Sequence, residues 1–182
     1  KQFNTIGIPQ VSLNKNGKSF SQRMDLYSRL YKERILFLFR IFEEDFINQI
    51  IAMLLYLNCE NRKKFIYIYI NSIGGSLTSG IALYDTINYI NSNLITVCLG
   101  VAASISSFIL TSGMSNKRLA LPHSRIMLYQ PEIQCYGQAS EILIESEEIL
   151  RLRRIVAKIY VEHTSQTLSR IARDLDRNYF LS

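Results

Sequence analysis

The sequence predicts an α/β fold in which strands alternate with helices and neighbouring strands are joined by crossover connections. Residues 65–70 alternate isoleucine with aromatic residues, which is typical of a strand with two different faces. An apolar run at residues 94–99 indicates a second strand. Each is followed by a segment with helical spacing of apolar residues, at 77–90 and from 104 onward. This order of elements predicts βαβ units.

Length and composition indicate a single globular domain. A chain of 182 residues can bury roughly 70% of its unfolded surface.

Its net charge of +6 is scattered, with no alternating aromatic residues for base stacking, so we predict no nucleic-acid partner. Hydroxyl residues interrupt the most apolar stretch, residues 94–110, so we predict no membrane segment. Three widely spaced cysteines predict neither a disulfide framework nor a metal site, and they favour a reducing compartment.

The other segments are predicted from local patterns. Residues 1–22 are largely polar, and we expect a mobile arm or loop there. The clearest helix spans 137–164, where acidic residues in the first half are followed by basic ones in the second, matching the helix dipole. This helix is roughly 40 Å long, so we expect it to project beyond the domain and meet a partner. The remaining predicted elements are helices at 25–33, from 43 to about 60 and at 166–175, and strands at 34–40, 117–121 and 125–130.

Ser104 is the candidate nucleophile. It follows Ala102 and Ala103 at the point where the strand pattern changes to helical spacing. A serine on a tight strand-to-helix turn presents its Oγ to a cleft, and the positive end of the following helix favours an oxyanion. The alternative is that Ser104 only caps the helix, since serine is a preferred capping residue.

Gly74 and Gly75 are a second candidate feature, shortly after the strand at residues 65–70. Paired glycines let backbone amides approach a bound carbonyl oxygen closely, because neither residue carries a Cβ. The alternative is an ordinary strand-to-helix turn, and the residue pattern leaves both interpretations open.

A series of blocks along the chain resembles the ClpP family, the self-compartmentalising serine peptidases of the ATP-dependent Clp system. The blocks share the family's order and spacing: Asp25 to Leu30, Tyr69 to Ser72 with Gly74-Gly75, Ile81 to Thr86, Ala102-Ala103-Ser104, Leu121 to Met127, Gln130-Pro131 and Phe180-Leu181-Ser182. The resemblance covers essentially the whole chain. It implies the ClpP/crotonase-like fold, with stacked βαβ units forming a head and a long handle helix.

The same resemblance divides this single domain into four parts. We expect an N-terminal axial arm or loop at 1–22, a head at 23–136 and the handle helix at 137–164. A helix with the C-terminal part of the head follows at 165–182, where the sequence stops before the family's end.

The resemblance also assigns three catalytic positions, of which two are changed. Ser104 occupies the nucleophile position, Tyr129 replaces the histidine general base, and Asn178 replaces the aspartate that orients this base. A phenol with a pKa of about 10 is a poor base near neutrality compared with imidazole at about 6.5. Loss of triad members costs on the order of 10⁴ to 10⁶ in turnover. We therefore expect a catalytically inactive, ClpR-type subunit.

The oxyanion site implied by the resemblance keeps both of its donors, the amides of Gly75 and Ile105. The family's proline before the glycine pair is Ile73 here, so the turn loses a fixed φ. We expect this site to bind a peptide carbonyl without cutting it. The two histidines, His123 and His163, are not expected to replace the base.

The implied partners are ClpP-like subunits in homo- or heteroheptameric rings, a Clp ATPase and unfolded polypeptide. Asp176 and Arg177 match the acidic-arginine pair that links stacked rings. Tyr67 and Tyr69 match aromatic positions of the pockets that receive ATPase loops, with sheet packing as the alternative. Residues 11–20 correspond to the axial pore loop. Neither a cofactor nor a metal ion is expected.

Two other functions stay open. One is a weakly active ATP-dependent serine endopeptidase, and the other is a different crotonase-fold activity, such as acyl-thioester binding at the oxyanion pocket.

Inactive ClpR-type subunits are associated with plastids and cyanobacteria, and the abundance of Ile, Asn, Lys and Tyr indicates an AT-rich genome. We therefore expect the stroma of a plastid or relict plastid (apicoplast), with the cytoplasm of a cyanobacterium as the alternative.

Overall fold

A computed structural model describes residues 9–15, 18–130, 137–177 and 179–181. Within these residues it contains eight strands and six helices. The strands are β1 (Gln10–Lys15), β2 (Lys18–Asp25), β3 (Ile35–Leu38), β4 (Ile66–Ser72), β5 (Leu94–Ala103), β6 (Arg118–Ala120), β7 (Arg125–Leu128) and β8 (Tyr179–Leu181). The helices are α1 (Leu26–Lys32), α2 (Glu44–Glu60), α3 (Leu77–Tyr89), α4 (Ile105–Thr111), α5 (Ala139–Thr164) and α6 (Leu168–Leu175).

The main sheet has six strands in the order β3-β4-β5-β7-β8, and β6 also pairs with β5. Its pairs are parallel except for β7 and β8, which are antiparallel. Parallel neighbours need crossover connections, and α2 and α3 lie in those that join β3 to β4 and β4 to β5. The predicted α/β fold is confirmed.

The core lies on one face of this sheet. Ile66, Ile68 and Ile70 of β4 are fully buried, whereas Tyr67 and Tyr69 alternate with them and point to the opposite face. The buried isoleucines belong to one continuous cluster with apolar residues of α2, α3, α4, α5 and α6. The alternation of residues 65–70 therefore gives the predicted strand its buried and outer faces.

The described residues of the predicted N-terminal arm or loop, residues 1–22, include strand structure. β1 and β2 form an antiparallel pair, with Lys15 opposite Lys18. Backbone hydrogen bonds join the two strands, so a largely polar sequence can form this sheet. Asn16 and Gly17, which lie outside the described residues, are a typical hairpin dipeptide in the sequence.

Helix α5 confirms the predicted long helix. The Gln138 amide donates to Glu141 Oε2 (3.0 Å) before the first turn, and Ser165 ends the helix with a left-handed φ of 56°. Its first half is largely exposed, while Val156 and Tyr160 in the second half are buried. The helix is therefore anchored to the body only by its C-terminal half. Among the described residues, every helix is too short or too polar to span a bilayer.

Candidate active site

Ser104 lies alone between the end of β5 and the start of α4. Its φ of 53° and ψ of −125° are sparsely populated by residues other than glycine. The Ser104 amide donates to Met127 O (3.1 Å), and the Ser104 carbonyl accepts from Ser107 Oγ (2.7 Å). Strand β7 and the first turn of α4 therefore hold this backbone conformation. The Ser104 side chain makes no capping hydrogen bond, so the geometry does not support the capping alternative.

The glycine pair packs directly against this turn. A Cβ on Gly74 would lie 3.0 Å from Ala103 O and 3.1 Å from the Ser104 Cβ, and Gly74 has a φ of 104°. A Cβ on Gly75 would lie 2.6 Å from the Phe42 amide nitrogen. Both positions therefore need glycine, for close approach and for conformation.

The amides predicted to form an oxyanion site lie on these two adjoining segments. Phe42 N donates to Gly74 O and Ser76 N donates to Phe42 O, both at 2.9 Å, so the glycine loop is fixed on either side of Gly75. Within the described residues, the amides of Gly75 and Ile105 have no backbone acceptor. Both N–H groups can therefore donate to a carbonyl oxygen that enters from outside.

Tyr129 lies one residue beyond β7, where it shares a cavity with Ser104. The cavity has a volume of about 10 Å³, which is close to the minimum that holds one water molecule. Its described lining contains neither an imidazole nor a carboxylate, and consists of Leu77, Ser104, Ile105, Phe108, Tyr129, Val156 and Tyr160. The structure thus brings together Ser104, Ile105 and Tyr129 of the predicted set.

Tyr160 is a neighbour of Ser104 that sequence reasoning missed. Its hydroxyl lies 2.8 Å from Ser107 Oγ, and its ring packs edge-on against Phe108. Burial raises the pKa of the Tyr160 phenol, so this group is neutral near pH 7 and does not accept a proton from serine. Helical spacing can indicate that Tyr160 points inward, but it gives no information on which site the side chain enters.

The remaining candidates for proton transfer are engaged elsewhere or not described. Asn178 lies outside the described residues. His163 Nε2 lies 2.8 Å from the Tyr84 hydroxyl, and Arg118 donates to the His163 carbonyl (2.6 Å). His123 is exposed in the turn between β6 and β7. Among the described residues, no group of three or more His, Cys, Asp or Glu side chains could hold a metal ion.

Asp176 and Arg177 follow α6 at the surface. The Asp176 carboxylate forms an ion pair with Arg153 of α5, while Arg177 is exposed. No sequence pattern predicts this pair, because its members belong to separate elements and share no local spacing. Asp176 therefore has a partner within its own chain.

Tyr67 and Tyr69 lie on the outer face of the main sheet, in register with Ile35 and Phe37 of β3. Tyr69 stacks on Phe37 with ring centroids 5.9 Å apart, and Tyr67 is 37% exposed. Packing thus accounts for Tyr69, while Tyr67 keeps an accessible edge. Sequence reasoning missed Phe37 as a member of this outer aromatic face. The alternation of residues at 34–40 could have indicated it.

A family model described as Clp protease matches residues 17–182 of this chain. The chain belongs to the Clp protease family. A protein of Bigelowiella natans named ATP-dependent Clp protease proteolytic subunit is 58% identical over 177 residues, which cover 97% of this chain and 91% of that protein. A protein of the same name from Oltmannsiellopsis viridis is 55% identical with the same coverage.

A cyanobacterial relative extends this comparison. The ATP-dependent Clp protease proteolytic subunit 2 of Prochlorococcus marinus (strain NATL2A) is 48% identical over 178 residues, covering 97% of this chain and 89% of that protein. The family and the ClpP-like fold expected from the sequence blocks are confirmed. The similar proteins come from algae and a cyanobacterium.

Proposed function

We propose that this chain is a catalytically inactive, ClpR-type subunit in the ring of an ATP-dependent Clp protease. The main observation in its favour is Tyr129 beside Ser104, in a cavity whose described lining lacks an imidazole and a carboxylate. A serine hydroxyl becomes an effective nucleophile only when a neighbour accepts its proton. A phenol stays protonated near neutrality and cannot accept that proton.

The size of the cavity supports the same proposal. A substrate must bring its carbonyl carbon to within about 3–3.5 Å of the attacking oxygen. The substrate side chain next to that carbonyl also needs space beside the nucleophile. About 10 Å³ is available between Tyr129, Val156 and Tyr160. A peptide that entered this cavity would have to displace at least one of these side chains.

The retained parts of the site support a role in binding unfolded polypeptide. The turn at Ser104 and the unpaired amides of Gly75 and Ile105 keep the geometry that receives a carbonyl oxygen. We infer that these amides hold a peptide carbonyl without cleavage.

Family membership and the exposed part of α5 support assembly with other subunits and an ATPase. Clp subunits form rings that act with Clp ATPases. Leu143 and Ile144 on α5 are 65% and 69% exposed, as expected of residues covered in a stacked ring. We assign Asp176 and Arg177 to the contact between rings, and Tyr67 and Tyr69 to ATPase docking.

We assign the subunit to the stroma of a plastid or relict plastid, with a cyanobacterial cytoplasm as the alternative.

Cleavage of a fluorogenic peptide by the purified chain tests the absence of catalysis. We expect the wild type and Ser104→Ala to give the same background rate, because the described lining of the cavity at Ser104 contains no group that takes its proton. Cleavage that Ser104→Ala abolishes, and that a serine-directed phosphonate inhibits, would instead establish the weakly active endopeptidase.

Restoring the missing groups tests the assignment of the changed positions. Tyr129→His together with Asn178→Asp is expected to produce phosphonate-sensitive cleavage that requires Ser104. Tyr129→Phe with Asn178→Asp is the matched control, since it frees the hydroxyl position without supplying a base. A folded double variant that neither cleaves peptides nor reacts with the phosphonate would contradict the assignment.

A further inference from the structure

Cationic side chains surround the amino ends of β3 and β4, which lie side by side because the strands are parallel. We call Lys32, Arg34, Lys63 and Lys64 the basic rim. Together with Glu33, Phe65 and Tyr67 they line a surface cavity of about 370 Å³. The rim therefore borders the start of the aromatic face that carries Tyr67.

Of the basic rim, only Arg34 has an ion-pair partner among the described residues, which is Glu60. Glu33 forms an ion pair with Arg29 and is not free to compensate the lysines. None of the three rim lysines takes part in an ion pair in the described part of the chain. The rim thus presents uncompensated positive charge to solvent.

Arg34 is the buried member of the basic rim, and hydrogen bonds hold its guanidinium in place. It is 5% exposed, its Nε donates to Phe65 O (3.2 Å), and one terminal nitrogen donates to Ser92 Oγ (3.4 Å). The other terminal nitrogen is buried without a hydrogen-bond acceptor among the described residues and lies 3.7 Å from Glu60 Oε2. A buried guanidinium with one unused donor adds to the positive potential of the cavity.

Two of the aromatic rings near the rim, Phe65 and Tyr69, each have a neighbour on one face. Phe37 stacks on Tyr69, and the Lys117 ammonium lies 6.0 Å from the centre of the Phe65 ring. Phe65 and Tyr67 are nevertheless 38% and 37% exposed. Single-stranded nucleic acids bind by stacking bases on free aromatic faces, whereas apolar side chains can pack against edges. The geometry thus favours a peptide over a nucleic acid.

We propose that this surface binds an acidic peptide segment of the partner ATPase, with an apolar side chain packed beside Tyr67 and carboxylates against the basic rim. The inference rests on the proposed docking role of Tyr67 and Tyr69, and it adds the charge of the partner segment. Electrostatic complementarity would set the specificity and association rate of docking, while the apolar contact holds the segment in place.

Fluorescence anisotropy with labelled peptides tests this proposal without an identified ATPase. The main probe has a leucine-phenylalanine centre with two glutamates on each side. The controls are the same centre flanked by lysines, and the same glutamates around two serines. At 50 mM NaCl we expect the main probe to bind the chain at least ten-fold more tightly than either control, and to weaken several-fold at 500 mM NaCl because salt screens the rim.

Charge-reversal variants locate the binding site. Lys63→Glu with Lys64→Glu should weaken the main probe at least ten-fold, whereas Arg154→Glu with Lys158→Glu makes the same charge change on α5 and should have no effect. All four positions are exposed, so circular dichroism should remain that of the wild type. Tyr67→Ser should weaken binding at both salt concentrations.

The outcomes separate failure of the charge inference from failure of docking. Binding that needs Tyr67 but not the lysines would overturn the acidic partner and leave docking intact. If Tyr67→Ser binds the main probe as tightly as the wild type, both the inference and the docking role of Tyr67 would be overturned. A labelled twelve-residue oligothymidine that binds the same site as tightly as the main probe would overturn the inference in favour of a nucleic acid.

Discussion

Ser104 has a backbone conformation that costs of order 1–3 kcal/mol for a residue other than glycine. The neighbouring glycines make it attainable, since Gly74 lies against both Ala103 and Ser104. The sequence predicted a tight turn at this serine because the strand pattern changes to helical spacing there. Neither the sign of φ nor the contact with Gly74 could be predicted, because both depend on how the loop after β4 packs on the end of β5.

Gly74→Ala tests the packing of this turn. We expect the free energy of unfolding to fall by about 1–3 kcal/mol, because the new Cβ would lie against backbone atoms in a left-handed conformation. Urea denaturation measures the change. Gly137→Ala is the comparison variant: its Cβ would meet the carboxylate of Glu141, which can move away at the cost of its hydrogen bond from the Gln138 amide, so stability should fall by less than about 1 kcal/mol. Equal effects of the two variants would show that the turn at Ser104 is not specially constrained.

The elements with strong periodicity, such as β4, α2 and α5, were predictable because their burial patterns are local. Strand β8 was missed, since its three residues become a strand only by pairing with β7. The small cavity beside Ser104 was also beyond reach of the sequence. Its volume depends on Tyr129 and Tyr160, which separate elements bring together. The sequence therefore shows which residue types are available at these positions, but not how their side chains fill the site.

The C-terminal end of α5 should make stability depend on pH. Burial, and then the charge of Arg118, lower the pKa of His163 from 6.5, while nearby Glu162 opposes this; Tyr84 of α3 supplies the hydrogen-bond partner. Because the folded pKa lies below the unfolded one, the unfolded chain binds more protons as pH falls. The stabilisation from neutral His163 is fully present above the unfolded pKa of about 6.5, and is lost as pH falls through the folded pKa.

Urea denaturation of His163→Gln between pH 8 and pH 5 checks this dependence. Glutamine keeps a hydrogen-bonding group beside Tyr84 without titrating, so the loss of stability towards pH 5 should be smaller than in the wild type. His123→Gln removes an exposed histidine and should follow the wild-type profile. Parallel curves for the wild type and His163→Gln would exclude His163 as the source.

At the scale of the whole molecule, the part of α5 that leaves the body carries a run of exposed apolar side chains at Ile142, Leu143 and Ile144. A domain of this size rarely keeps such residues in water unless they are covered by a partner. Residue periodicity predicted the length of the helix and its need for a partner, while the exposure of Leu143 and Ile144 identifies the surface involved.

Analytical ultracentrifugation tests this assembly. We expect the wild type at micromolar concentration to form a species far heavier than 21.1 kDa. Leu143→Asp with Ile144→Asp should give a species of about half that mass, because it disrupts stacking through α5 and leaves contacts within a ring. Ser146→Asp adds charge to the same helix at a position that is already polar, and should leave the mass unchanged. A strictly monomeric wild type would contradict the ring assignment.

The uneven anchoring of α5 has a mechanical consequence. Val156 and Tyr160 line the cavity at Ser104, and the free tip at Ala139 lies about 17 residues away, or roughly 25 Å. A rotation of only about 5° at this pivot moves the tip by about 2 Å, simply by lever geometry over that length. A group that enters between Tyr129 and Tyr160 must displace one of these side chains or tilt α5, so binding of a polypeptide at Ser104 would move the far end of this helix.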